Sequence, residues 1–323
     1  MSKKILGIGN AIIDIVCKVD DKFLDKNSLI KSSMLLIDEV MAEKLSALKP
    51  EKIISGGSLA NTIAILGQLG TKTAFIGKVG DDELGTKFIS EIEKTGSQFV
   101  SNKNHLEPSA RSFILVTPDA NRTMCTFLGC ASKISEEDIT EELFKDTAIL
   151  YLEGYLWDRY QTIAALEKAI FYAKKNGVKI VFSLPDHFCV SRHKKDFLRL
   201  VQYDIDLLFC NESEALELSK NFTELFDYNK KLTAVITKSE KGCEIFQHQK
   251  HLTVAAQKVL QLIDTSGAGD AFAAGFLYGL ISGFTSEKAA EFGHMIAAKI
   301  IQKFGPRFEA EEIQALKISA SAI

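Results

Sequence analysis

The sequence predicts an α/β fold, a mostly parallel sheet flanked by helices with a small β-rich lid outside it. Two observations carry this. Short apolar runs alternate with helix-period segments along most of the chain, which is how a parallel sheet covered on both faces is written. Two stretches break that alternation, one near Val16 and one around Pro118, and both read as strands.

In order, Lys4 to Ile8 is a short apolar run ending at glycine, hence a buried strand and a turn. Ile12 to Val19 is rich in β-branched residues and is strand-like. Gly57 to Leu69 has helical spacing and stops at Gly70. Lys72–Ile76 reads as a strand and Leu84–Lys94 as a helix stopped at Gly96. Between Arg111 and Phe127, apolar alternation on either side of Pro118-Asp119-Ala120-Asn121 marks a hairpin. Further on, strands are expected at Ala148–Leu152, Lys179–Ser183, Leu207–Cys210, Ala234–Thr237 and Leu260–Ile263. Helices are expected at Gln161–Asn176, Lys194–Val201, Ala271–Ile281 and Ser286–Phe304. With no repeat or linker, residues 1–323 read as one domain, the lid formed by excursions near 11–45 and 105–130.

The composition narrows the function. The chain has 323 residues, 46% apolar and 25% charged, with a formal net charge of -3. That balance argues against non-specific nucleic-acid binding, which needs many cationic contacts. Its six cysteines form no C-x-x-C pair and read as reduced, buried thiols. The N-terminal apolar run is short and soon broken, a poor signal peptide, and no apolar stretch is long enough to span a bilayer. The chain reads as cytoplasmic, with a small-molecule substrate and neither membrane nor nucleic-acid partners.

Asp264-Thr265-Ser266-Gly267-Ala268-Gly269-Asp270, ahead of an apolar helix, carries the most chemistry. Its glycines allow close backbone approach, and free amides at a helix N-terminus favour an anion. A phosphoryl group in transfer needs such donors. Asp270, in the first helical turn, is held ionised by the dipole and can take a proton from an attacking hydroxyl. The plain alternative is a glycine turn with a first-turn acid.

Residues Asp264 to Gly275 resemble the C-terminal signature of the ribokinase-like (PfkB) carbohydrate and nucleoside kinases. Gly56-Gly57-Ser58 through Asn61, followed by Gly77-Lys78-Val79-Gly80-Asp81-Asp82-Glu83-Leu84-Gly85, resembles the N-terminal one. The resemblance runs from Gly7 to Gly305. It implies ATP and Mg2+, with Asp270 as base and Gly267, Ala268 and Gly269 as the anion hole. It implies a sugar held by Asn10, Asp14, Gly56, Gly57 and Asn61. Asn211 and Glu214 resemble the family's N-x-x-E element, with Glu214 serving Mg2+ through water, although Asn211 also reads as a helix cap. Thr237, Lys238 and Gly242 would border the nucleotide, with His294 as a wall of its pocket. K+ in relatives binds at the loop of Asp264 and Ser266.

Within that family the chain is most similar to the adenosine kinases, through Gly9-Asn10 with Asp14, Asn121-Arg122, Tyr151 to Tyr155 and Gly293-His294. Arg122 is then the arginine that reaches the phosphate when the lid closes. Tyr155, Leu156, Phe188 and Leu36 are the apolar walls for a purine. The activity implied is phosphorylation of a ribonucleoside 5′-hydroxyl, adenosine to AMP in purine salvage, by a monomer or homodimer. A sugar kinase of the same family is the alternative. A nicotinamide-dependent oxidoreductase is rejected, because Gly7-Ile8-Gly9 is followed by Ile12 where a third glycine is required. A catalytically silent nucleoside sensor is disfavoured by Asp270 and its loop.

Overall fold

A computed structural model describes residues 4–100, 106–119, 121–220, 222–247 and 250–320. Of the expected single domain, residues 1–3, 101–104, 221, 248–249 and 321–323 lie outside the described residues, as do residues 105 and 120 of the expected lid.

In chain order the elements are β1 (Lys4–Ile8), β2 (Ile12–Lys18), α1 (Asp21–Lys26), β3 (Met34–Leu36), α2 (Glu39–Ser46), β4 (Lys52–Ser55), α3 (Ser58–Gln68), β5 (Thr73–Ile76), α4 (Glu83–Glu93) and β6 (Ser97–Phe99). They continue with β7 (Ala110–Val116), β8 (Arg122–Phe127), β9 (Thr147–Glu153), α5 (Tyr160–Lys175), β10 (Lys179–Ser183), α6 (His187–Tyr203), β11 (Leu207–Asn211), α7 (Glu212–Leu218) and α8 (Leu225–Tyr228). The last are β12 (Thr233–Thr237), β13 (Cys243–Gln247), β14 (Lys250–Val254), α9 (Ala268–Ile281), α10 (Ser286–Ile300) and α11 (Ala310–Ala320).

Among the described residues, nine strands form the main sheet, in the order β14-β13-β12-β11-β10-β9-β1-β5-β6. From β12 through β6 every pairing is parallel, and β13 and β14 add an antiparallel edge. Alternation along β1 sends Ile5 into one core with α3, α9 and α10, and Leu6 and Ile8 into the other with α5 and α6. Successive strands run outward from β1 on both sides, so the order reverses between β1 and β9. The crevice at the carboxyl ends of such a pair is where doubly wound sheets hold ligands.

The second sheet has the order β3-β8-β7-β2-β4. It takes in the hairpin and the strand that broke the alternation, and adds β4, which lies outside the stretches expected for the lid. The chain leaves the main layer between β1 and β2 and returns between β4 and α3, so both crossings meet beside the β1–β9 crevice.

Two expectations are corrected. Leu260–Ile263 is not a strand: Leu260 is fully exposed, and the stretch is tethered by Ile263 and Asp264 amides donating to the Ile301 carbonyl. The sheet is instead extended beyond β12 by the β13–β14 hairpin, whose polar Glu244, Lys250 and His251 hid its alternation. The loop of Asp264 therefore follows irregular chain, not a strand. Helix α6 also begins earlier than Lys194. Asp186 caps it, accepting from Phe188 N at 2.9 Å and Cys189 N at 3.1 Å, and a kink at His193 hides its period. The six cysteines are free and buried, and no helix among the described residues is long and apolar enough to cross a membrane.

Candidate active site

The two crossings are built around three acidic side chains. Glu153, at the end of β9, is buried and accepts from Asn10 N at 2.7 Å, Asn10 Nδ2 at 2.9 Å and Leu59 N at 3.0 Å. It thus fastens the exit from β1 to the start of α3. This contact fixes the orientation of the Asn10 side chain. Burial still pushes Glu153 up to about 7 against those three donors. Asp14, on β2, lies against the returning chain. A Cβ at Gly56 would stand 2.2 Å from Asp14 Oδ2, and one at Gly57 would stand 2.4 Å from the Asn10 carbonyl oxygen. Gly57 also has φ +86, a conformation that L side chains rarely adopt. The Gly-Gly pair is there because the backbone must pass between Asn10 and Asp14.

Asp270 is the third acid. Gly267 adopts a left-handed conformation and caps α9. The first-turn amides that follow have no intrahelical acceptor, except that the Ala268 amide closes the turn on the Thr265 carbonyl at 3.2 Å. Asp270 Oδ1 accepts from Ser58 Oγ at 2.6 Å, and Oδ2 from Asn61 Nδ2 at 2.9 Å. Asn61 is buried, and its oxygen accepts from Arg307 Nε at 3.3 Å. Burial raises Asp270 to about 6, while Ser58, Asn61 and Arg307 pull it down. Asp14 is raised to about 7 by burial, against the pull of Arg307 and with the push of Asp270 and Asp264. Asp14, Asp270 and Arg307 therefore sense one another across one pocket at the junction of the two sheets.

Arg122, on β8, reaches across from the second sheet. Its guanidinium pairs with Asp264 Oδ1 and donates to Ser266 Oγ at 2.9 Å. Asp264 also accepts from Ser266 N at 2.8 Å and Gly305 N at 3.2 Å. Burial would raise Asp264, but Arg122 and these donors hold it below the ordinary carboxylate range. This donor set does not fit a monovalent cation ligated by Asp264, because a guanidinium already supplies the positive charge. It also leaves Arg122 on the rim of the anion loop.

On the other side of the crevice, the ends of β11 and β12 bring a second group together. Asn211 caps α7 in a reciprocal box with Glu214, its amide N donating to Oε2 at 2.9 Å and its Nδ2 to Oε1 at 2.6 Å. Burial raises Glu214 to about 7, helped by the Asp186 charge. The cap reading of Asn211 is therefore realised. Asp186 Oδ2 is buried without a hydrogen-bond partner among the described residues. A carboxylate oxygen left unpaired beside a second acid is a hard-oxygen donor set that fits Mg2+. Thr237 Oγ1 bonds the Cys210 carbonyl at 3.4 Å. Lys238 is held by Glu244 at 2.7 Å and Glu212 at 3.3 Å, so its charge is already paired. Gly242 turns the chain back under Lys238, whose amide donates to the Gly242 carbonyl at 2.7 Å. His294 is buried on α10 with its ring against Phe272. Burial pushes it down to about 4, and its Nε2 has no partner.

The expected base walls are less uniform. Tyr155 is half-buried, its hydroxyl accepting from Asp186 N at 3.1 Å. Leu156 is 3% exposed and packs in the second core. Phe188 is 67% exposed with its ring tilted against that of His187, and Leu36 lies exposed on the edge strand β3. Four residues of the site were not singled out from sequence: Ser58, Glu153, Asp186 and Arg307. A charge ending the apolar run of β9 was the available signal for Glu153. Nothing local marks Arg307.

The model for the pfkB family of carbohydrate kinases matches residues 4–313. Adenosine kinase from Saccharomyces cerevisiae is 27% identical, over 97% of this chain and 99% of its own length. A 5-dehydro-2-deoxygluconokinase from Bacillus subtilis is 29% identical over 81% of this chain and 86% of its own. Among solved structures, adenosine kinase from Sinorhizobium meliloti superposes with TM-score 0.89 at 36% identity, covering 99% of this chain and 100% of its own. A probable sugar kinase from Rhizobium etli CFN 42 superposes equally, at 0.89 and 36%, covering 98% of each chain. The chain belongs to the pfkB family of carbohydrate kinases, with the ribokinase-like fold, and is a phosphotransferase of the kind that acts on sugar or nucleoside alcohols.

Proposed function

We propose that this kinase phosphorylates the 5′-hydroxyl of a ribonucleoside, adenosine first, using ATP and Mg2+. The observation that carries the reading is the convergence of Asp14 and Asp270 beside the N-terminus of α9. A carboxylate accepts from two neighbouring hydroxyls, which suits Asp14 to a ribose diol. Asp270 then faces the primary hydroxyl, and the first-turn amides of α9 receive the transferring phosphoryl group. Mg2+, held by Glu214 and Asp186, would neutralise the phosphate oxygens. A pocket with two acids against one guanidinium favours a neutral acceptor over an anionic one. In a cell this activity belongs to purine salvage, in the cytoplasm.

The test is incubation with ATP, Mg2+ and adenosine, reading the product by phosphorus NMR. A 5′-monoester is expected, and absence of any phosphoester with a nucleoside panel would sink the reading. Asp14→Ala should lower kcat/KM for adenosine by at least about 10-fold more than for 2′,3′-dideoxyadenosine, since a hydrogen bond to a charged group contributes about 1.5–3 kcal/mol. Equal losses on both would remove Asp14 from the diol.

Glu214→Gln should raise the Mg2+ concentration for half-maximal turnover, with little change in nucleoside KM. A magnesium titration that superimposes on the wild type would leave Glu214 as a helix cap alone.

A second reading has its own observation. With Leu156 in the core and Phe188 mostly exposed, the base walls are thin, which suits a bare sugar, and one structural relative is titled a probable sugar kinase.

A further inference from the structure

We propose that Arg307 is a positioning residue that orients Asn61 and, through it, the Asp270 carboxylate toward the acceptor hydroxyl. The inference rests on the reading of Asp270 as the base. Arg307 lies in the short stretch after α10 that packs on the anion loop: a Cβ at Gly267 would stand 2.5 Å from Pro306 Cβ. Its Nε donates to Asn61 Oδ1 at 3.3 Å, and Asn61 Nδ2 donates to Asp270 Oδ2 at 2.9 Å. An amide side chain can present either end. A donor fixed on its oxygen decides that the NH2 end faces Asp270. With Ser58 on Oδ1, each carboxylate oxygen then has one donor and a lone pair left for the incoming proton.

The rest of the guanidinium shows that Arg307 is not a fold anchor. Both terminal nitrogens are sealed from solvent and have no hydrogen-bond partner among the described residues. Buried arginines that hold a fold together are paired there, because an unpaired buried charge is costly. Here the charge instead faces the acids of the pocket. Asp14 on β2 and Asp270 on α9 both feel it, as does Glu91 on α4. Glu153 and Tyr151 on β9 in turn feel Asp270, and Asp264 acts on Asp14. Arg307 is the cation among these groups that opposes the burial of Asp270.

The test is the pH profile of kcat/KM for wild type, Arg307→Met, Arg307→Lys and Asp270→Asn, each checked for a normal melting transition. Arg307→Met should move the acid limb to higher pH by about one unit, the low end of the roughly 1–3 units a nearby opposite charge produces. Its kcat should fall by about tenfold or more, the scale of one lost hydrogen bond, with KM for ATP unchanged. Arg307→Lys keeps the charge, so its limb should return to the wild-type position while kcat stays reduced. A limb and kcat in Arg307→Met that match wild type overturn the proposal. If Arg307→Met does not fold, wild-type kcat in Arg307→Lys overturns it. Near wild-type turnover in Asp270→Asn would instead remove Asp270 as base, a separate failure.

Discussion

Asp270→Asn should lower turnover by about 100- to 10,000-fold, the range for loss of a general base, with nucleoside binding little changed. The amide keeps the shape of the carboxylate. It can still accept from Ser58 or Asn61, which bond the two oxygens at 2.6 Å and 2.9 Å. What it cannot do is take the proton of the attacking hydroxyl. Wild-type kcat/KM should also rise with pH through a limb near 6, where burial has placed Asp270. Below that limb the acid is protonated and cannot serve as base; above it the carboxylate is ready. In Asp270→Asn the step near 6 should vanish, leaving only the titration of Asp14, which burial has raised to about 7. Equilibrium binding of adenosine separates the two steps: if affinity collapses along with turnover, Asp270 is a binding group first.

The second large effect is on the fold. Glu153→Ala should destabilise the protein by about 3 kcal/mol or more, because buried donors left unmade cost about 1–3 kcal/mol each. Three donors lose their acceptor at once: Asn10 N, Asn10 Nδ2 and Leu59 N. Glu153→Gln should lose less. Its single oxygen can keep both Asn10 contacts, while its NH2 then opposes the Leu59 amide. A urea titration reads both midpoints. Equal midpoints for Ala and Gln would mean that the Asn10 contacts that Gln can keep contribute nothing measurable.

Legibility in the sequence followed the distance between partners. The strand Lys4–Ile8, the helix after Gly57 and the hairpin on either side of Pro118 were readable because period and turn chemistry are local. So were the Gly56-Gly57 pair and the loop ending at Asp270. The contacts that give these motifs their geometry are not local. Ser58 meets Asp270 across 212 positions, Asn61 meets Arg307 across 246, and Asn10 meets Glu153 across 143. No window of sequence holds both partners, so Arg307 and Glu153 went unmarked. Leu260–Ile263 failed for the converse reason. Its apolar residues look like a strand, but the amides of Ile263 and Asp264 donate to the Ile301 carbonyl and not to a neighbouring strand. Lys238 was expected to border the nucleotide, and the partners that pair its charge, Glu212 and Glu244, are likewise not marked in its own motif.

The central claim is that the pocket of Asp14 and Asp270 takes a neutral nucleoside. It is tested most directly by kcat/KM for adenosine, ribose and 5-dehydro-2-deoxygluconate in one assay with saturating ATP and Mg2+. Adenosine should exceed ribose by about 100-fold, since burying roughly 120 Å² of purine at about 25 cal/mol/Å² contributes about 3 kcal/mol. The anionic gluconate should be the poorest of the three. A gluconate or ribose value above that of adenosine would contradict the account and make the protein a sugar kinase of the same fold.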